Sequence, residues 1–199
     1  MVKGTRVPDS DMRSRFRWFC FACGFEAWLL LAAAGLARLF HQPILAQVQW
    51  SARDAVLGSL AVLPLFGLFW WTLRSARGPL VAVREFLEAR VRPLFASWSL
   101  AELAVLSLLA GVSEEILFRG VIQGGLTKPL GQPLAILAAS LIFGACHPLT
   151  RAYFAIATGI GAFMSALWLL TGNLLTPIVT HALYDFVALA YFLRRRRSN

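Results

Sequence analysis

Residues 100–126 read LAELAVLSLLAGVSEEILFRGVIQGGL, an apolar run of membrane-crossing length whose second half nevertheless holds Glu114, Glu115 and Arg119. A transmembrane helix needs about 20 predominantly apolar residues. Ionisable side chains inside hydrocarbon are costly, so each one within a span is a functional hypothesis by default. The stretch therefore argues both for a membrane protein and for chemistry carried inside one of its helices.

Outward from this run the same texture repeats. An apolar block over 16–40 ends at His41-Gln42-Pro43, 44–53 is a short connection, and a second block over 54–73 ends at Arg74-Ser75-Ala76-Arg77-Gly78-Pro79. Beyond the opening run lie apolar blocks at 135–147, 152–170 and 174–193, separated by breakers at 127–133, Pro148 and Gly172-Asn173. Between the halves, 80–97 mixes apolar residues with Arg84, Glu85, Glu88, Arg90 and Arg92, a pattern suited to a helix lying at the membrane surface. The expected fold is all-α, a polytopic transmembrane bundle of about six spans with a short interfacial helix and no internal repeat. Its parts are a basic cytoplasmic leader (1–15), disordered or interfacial, two N-terminal spans with the interfacial segment (16–97), a C-terminal helix bundle (98–193) and a basic cytoplasmic tail (194–199).

Composition agrees with this reading. Of 199 residues, 58% are hydrophobic and 15% charged, against roughly 45–50% and about 25% in soluble domains; mean hydropathy is +0.66. Most of the +9 formal charge flanks the apolar blocks, at Lys3, Arg6, Arg13, Arg15, Arg17, Arg74, Arg77, Arg84, Arg90, Arg92 and Arg194 to Arg197. By the positive-inside rule this puts both termini and the loop after the second span in the cytoplasm, with the terminal arginines at lipid headgroups. A nucleic-acid partner would need those bases on one soluble face among aromatics, and no such module is present. Cys20, Cys23 and Cys146 are too few for a disulfide framework and read as small packing residues. The first block is too long for a signal-peptide core and is expected to remain as a span.

The ionisable residues within spans concentrate in the second half: Glu102, Glu114, Glu115 and Arg119, then His147, then His181 and Asp185. Helix neighbours lie three or four residues apart, so Glu115 can pair with Arg119, His181 with Asp185, and Phe143 with His147. Glu114 is rotated about 100° from Glu115, which lets one carboxylate be held by arginine while the other faces a different environment. Such a split assigns one acid a structural role and the other general-base work. On a rise of ~1.5 Å per residue from the turn at 127–133, Glu114 lies roughly 18 Å and His147 roughly 21 Å into the membrane. His181, counted from Leu174, is roughly 10 Å shallower, so helix tilt or an irregular sixth span has to bring it level. Glu26, Glu102, Arg38 and His41 read as helix-end, cavity or packing positions.

Ser113-Glu114-Glu115-Ile116-Leu117-Phe118-Arg119-Gly120, Phe143-Gly144-Ala145-Cys146-His147 and His181-Ala182-Leu183-Tyr184-Asp185 together resemble the three motifs of the CAAX-protease and bacteriocin-processing (CPBP) family of intramembrane proteases, E-E-x-x-x-R, F-x-x-x-H and H-x-x-x-N or D. The resemblance covers about 100–193 and makes 98–193 a catalytic bundle; the first half matches no named family. It implies an endopeptidase acting on a peptide bond in or near the bilayer. Glu114 would be the general base, His147 would help hold the water, and His181 with Asp185 would line the oxyanion site. Glu115, Arg119 and Phe143 would support them. The family's last position is often Asn; Asp185 there would act either protonated or through His181.

No cofactor is expected. The alternative is zinc held by Glu114, His147 and His181, since two histidines and a glutamate form a known zinc hydrolase set; no H-E-x-x-H helix is present. The implied partner is a protein or peptide substrate in the membrane. Compact size and short loops favour a prokaryotic inner membrane. The competing readings are a non-catalytic immunity or scaffold protein of the same fold, and a proton-coupled transporter, against which the absence of paired halves counts.

Overall fold

The computed structural model describes residues 9–147 and 149–195. Lys3, Arg6, Pro148, Arg196 and Arg197, with most of the leader and tail, lie outside the described residues.

Among the described residues every regular element is helical. Helix α1 (Asp9–Leu39) begins inside the expected leader, so 9–15 is helical and not disordered. No Gly or Pro interrupts the chain from Asp9 to Cys23, and Arg15 Nε donates to Glu102 Oε1 at 3.0 Å, a partner far away in sequence. A short turn, α2 (Ile44–Gln47), leads to α3 (Ala52–Arg74), whose cap is Ser51 accepting from the Asp54 amide.

The interfacial stretch is one helical arm: α4 (Gly78–Phe86), a π-helical turn (Leu87–Val91) and α5 (Arg92–Phe95). It meets the next helix at 114°. That helix restarts with a capping box in which Ser99 accepts from the Glu102 amide and Glu102 accepts from the Ser99 amide. It runs as α6 (Leu100–Glu115), a π-helical segment (Ile116–Gln123) and α7 (Gly124–Leu130). Then follow α8 (Gln132–Ala145), α9 (Arg151–Thr171) and α10 (Leu175–Arg194).

The six expected spans differ in length. Four helices are individually long and apolar enough to cross a membrane, namely Arg13–Leu39, Ala52–Arg74, Arg151–Thr171 and Leu175–Arg194, and Leu100–Leu130 qualifies only together with its bent arm. Helix α8 has 14 residues, about 21 Å on the helical rise, which falls short of a ~30 Å hydrocarbon core.

Helix α10 is the centre of the bundle, packed most extensively on α3 and α6. Small residues permit this closeness: a Cβ on Gly58 would stand 2.6 Å from the Thr176 carbonyl oxygen, and one on Gly111 would stand 2.8 Å from the Ala182 amide nitrogen. The depth mismatch at His181 closes without an irregular α10. The start of α10 is sunk instead: the Leu174 amide donates to the Gln47 carbonyl at 2.9 Å, and Asn173 Nδ2 donates to Gln49 O at 2.7 Å and Asp54 Oδ2 at 2.8 Å. Leu174 packs against Gly120, where an added Cβ would meet its Cδ1 at 3.0 Å. Helix α10 therefore begins level with Gly120 and not with Leu126, about 9 Å deeper.

Candidate active site

At Ile116 the α6 helix passes into the π-helical segment that carries Arg119, an irregularity often found at functional sites. Just before the junction stands Glu115, fully buried. Its Oε1 accepts from Arg119 Nη1 at 2.9 Å and from His181 Nδ1 at 2.7 Å. The Arg119 guanidinium also donates to the Gly161 carbonyl at 3.0 Å and lies 4.6 Å from the Phe143 ring centroid. Gly161 lets α9 lie close on α8 at this point, since a Cβ there would meet Ser140 Cα at 3.1 Å. A buried ion pair adds little net stability, but here it fixes the imidazole of His181 by one nitrogen.

The other nitrogen of that ring faces two further carboxylates. Asp185 Oδ2 lies 3.5 Å and Glu114 Oε2 4.0 Å from His181 Nε2. Asp185 is thus not the group that orients the ring through Nδ1; Glu115, on another helix, does so. Glu114 Oε2 is buried and has no hydrogen-bond partner among the described residues. Glu115 Oε2 is likewise buried without a partner, so the two adjacent glutamates differ in their engaged oxygens: Glu115 Oε1 holds two donors, whereas Glu114 has no hydrogen bond among the described residues and faces the same histidine.

His147 stands just past the end of α8. Its Nδ1 is 2.8 Å from the Phe143 carbonyl oxygen; a carbonyl only accepts, so Nδ1 donates, and in the neutral ring Nε2 is left as an acceptor. Phe143 is a shared wall, with its ring 4.6 Å from that of His147, 6.1 Å from that of His181 and 5.1 Å from that of Phe118. Tyr153 of α9 lies 6.3 Å from the His147 ring. Cys146 is exposed.

Two residues set aside in the sequence acquire partners. Glu102 closes the α6 capping box and pairs with Arg15. Glu26, on α1, is buried and accepts from the Ser113 hydroxyl at 2.5 Å. Its signal was an acid placed inside an apolar helix.

Among the described residues no group of three or more His, Cys, Asp or Glu side chains is arranged to hold a metal ion. Glu114, His147 and His181, the set considered for zinc, do not form such a group among the described residues.

Residues 96–187 match the family described as type II CAAX prenyl endopeptidase Rce1-like. The match includes every motif residue of the site. Its apolar helices and this family make it an integral membrane protein. Among curated proteins, the uncharacterized protein YpbD of Bacillus subtilis (strain 168) is 32% identical over 99 residues. That match covers 48% of this chain and 48% of YpbD, so the chain spans about half the length of the curated relative it matches. No solved structure matches.

Proposed function

We propose that the chain is an intramembrane endopeptidase that hydrolyses a peptide bond in the terminal region of a membrane-associated protein or peptide, with Glu114 as the general base. The observation that carries this reading is the division of labour around His181. Glu115 accepts from both Arg119 and Nδ1 through one oxygen, whereas Glu114, beside Nε2, has no hydrogen bond among the described residues.

In this mechanism a water held between Glu114 and Nε2 of His147 gives its proton to Glu114 as its oxygen attacks the scissile carbonyl carbon. The carbonyl π pair moves onto oxygen, and the tetrahedral oxyanion is met by His181. Because Nδ1 donates to Glu115, the ring can donate from Nε2 only when doubly protonated, and Glu114, Glu115 and Asp185 supply the countercharge. Collapse breaks the C–N bond, and Glu114 returns its proton to the leaving amine. The residues support water activation without a metal. The segment 98–193 forms the catalytic bundle, in a prokaryotic cell membrane with both termini cytoplasmic, as the flanking arginines suggest.

The test uses the purified chain in lipid nanodiscs with two internally quenched peptides, one ending in an S-farnesylated cysteine motif and one unmodified, alongside co-expression with candidate membrane-anchored substrates. Wild type should cleave, and Glu114→Ala and His147→Ala should not. Equal processing by all three would sink the enzyme reading in favour of a scaffold or transporter. Activity that survives chelation supports the metal-free form; activity lost to chelator and restored by zinc overturns it.

A further inference from the structure

The geometry points to Glu26, in the half of the chain outside the family match, as a positioning residue of the active site that fixes Glu114 through Ser113. This rests on the endopeptidase reading.

Ser113 precedes Glu114 on α6 and is fully buried. Its hydroxyl is 2.5 Å from Glu26 Oε2 and 3.3 Å from the Ala110 carbonyl of its own helix. A serine bonding back to the carbonyl one turn earlier loosens and bends a helix. Glu26 competes for that one proton with the shorter and stronger contact, because a bond to a carboxylate is charge-assisted. The last turn of α6 is thereby tied to α1 at the point where Glu114 and Glu115 diverge.

Glu26 also belongs to the charge constellation of the site. It interacts electrostatically with His181 and Asp185 of α10 and with Glu114 of α6, and on its own helix with Cys23. It further lines an apolar groove of about 300 Å³ with Trp18, Phe21, Phe95, Trp98 and Leu106. A position needed only for packing beside such a groove would be filled without cost by an apolar side chain, whereas a carboxylate within an apolar helix is expensive to retain. The hydrogen bond from Ser113 accounts for an acceptor at this position.

The experiment uses the full chain in lipid nanodiscs and the farnesylated quenched peptide, with melting temperatures recorded for every variant. Glu26→Ala and Ser113→Ala should each lower kcat at least about tenfold with KM within about twofold, the pattern of a lost transition-state contribution. The double variant should be no slower than the slower single, because both changes remove one interaction. Glu26→Gln, whose amide oxygen still accepts from Ser113, should recover kcat to within about threefold of wild type. Wild-type kcat in a folded Glu26→Ala, additive losses in the double variant, or failure of Gln to rescue would each overturn the inference while leaving the endopeptidase reading intact. Equal hydrolysis by wild type and Glu114→Ala would overturn that reading and this inference with it.

Discussion

Glu115 and His181, on different helices and 66 residues apart, meet at 2.7 Å between Oε1 and Nδ1. This contact separates the functions of two adjacent glutamates. Glu115→Ala would leave Arg119 buried with its carboxylate removed and His181 unheld, and breaking such a buried pair costs about 3–5 kcal/mol. Glu114→Gln removes no hydrogen bond present in the structure. The expected outcome is a strongly destabilised Glu115→Ala and a Glu114→Gln of near wild-type stability. Activity should fall in both, in Glu114→Gln by roughly 10²–10⁴ from loss of the base. Thermal unfolding in nanodiscs with parallel peptide assays checks this.

The i, i+4 pairing of Glu115 with Arg119 was legible in the sequence because helix periodicity fixes it, and the three motifs were legible because they lie within short windows. What orients His181 was not legible. Spacing offered Asp185 as the only neighbour, and Glu115 reaches it only because α6 and α10 pack through Gly111 at backbone contact. The burial of Glu26 against Ser113 was hidden for the same reason: both residues are visible in the sequence, but their meeting is set by how α1 lies on α6. The block at 135–147 has about the length of α8 (Gln132–Ala145), and reading it as a full span overlooked that 14 residues fall short of the hydrocarbon thickness.

The depth of α10 was misjudged because the anchor is a loop network. Asn173 holds Gln49 and Asp54 at 2.7 and 2.8 Å, and none of these residues is in a motif. Asn173→Ala leaves the buried Asp54 carboxylate without this donor, at a cost of about 1–3 kcal/mol. It should let α10 slide relative to Gly120, lowering activity although the substitution lies outside the motifs. A variant with unchanged stability and turnover would show that this network does not set the register.

The interfacial arm is tied to the end of α10 by charge. Glu88 accepts from Arg92 Nε at 2.6 Å and from Arg195 Nη2 at 2.6 Å, and Arg92 also donates to the Phe192 and Leu193 carbonyls at 2.7 and 3.1 Å. The hydrogen bond from Arg92 is the main reason the Glu88 carboxyl is held below its ordinary range, with Arg195 adding to it. A carboxylate with a depressed folded-state value stabilises the fold above its unfolded value, about 4.3. That contribution is lost as pH falls through the folded value. Glu88→Gln should therefore melt below wild type at neutral pH, with the gap closing as pH drops under the usual carboxylate range. A gap independent of pH would show that the ion pairs contribute nothing.

The close approach of α6 to α10 supplies a steric test. A Cβ on Gly111 would stand 2.8 Å from the Ala182 amide nitrogen and 3.0 Å from the Ile178 carbonyl oxygen, both backbone atoms that cannot rotate away. Gly111→Ala must push α6 and α10 apart, and Gly111 lies one turn from Glu115 on the same helix face, so the displacement falls on the Glu115–His181 contact. Overpacking of this kind costs about 1–3 kcal/mol, and turnover should fall more than stability alone explains because the contact orients an imidazole. Gly159 is the matched control: it is helical and has nothing within 4 Å of a built Cβ. Gly159→Ala should stabilise by roughly 0.5–1 kcal/mol and leave turnover unchanged. If both alanines behave alike in melting and peptide-cleavage assays, the packing of α6 on α10 is not what sets the site.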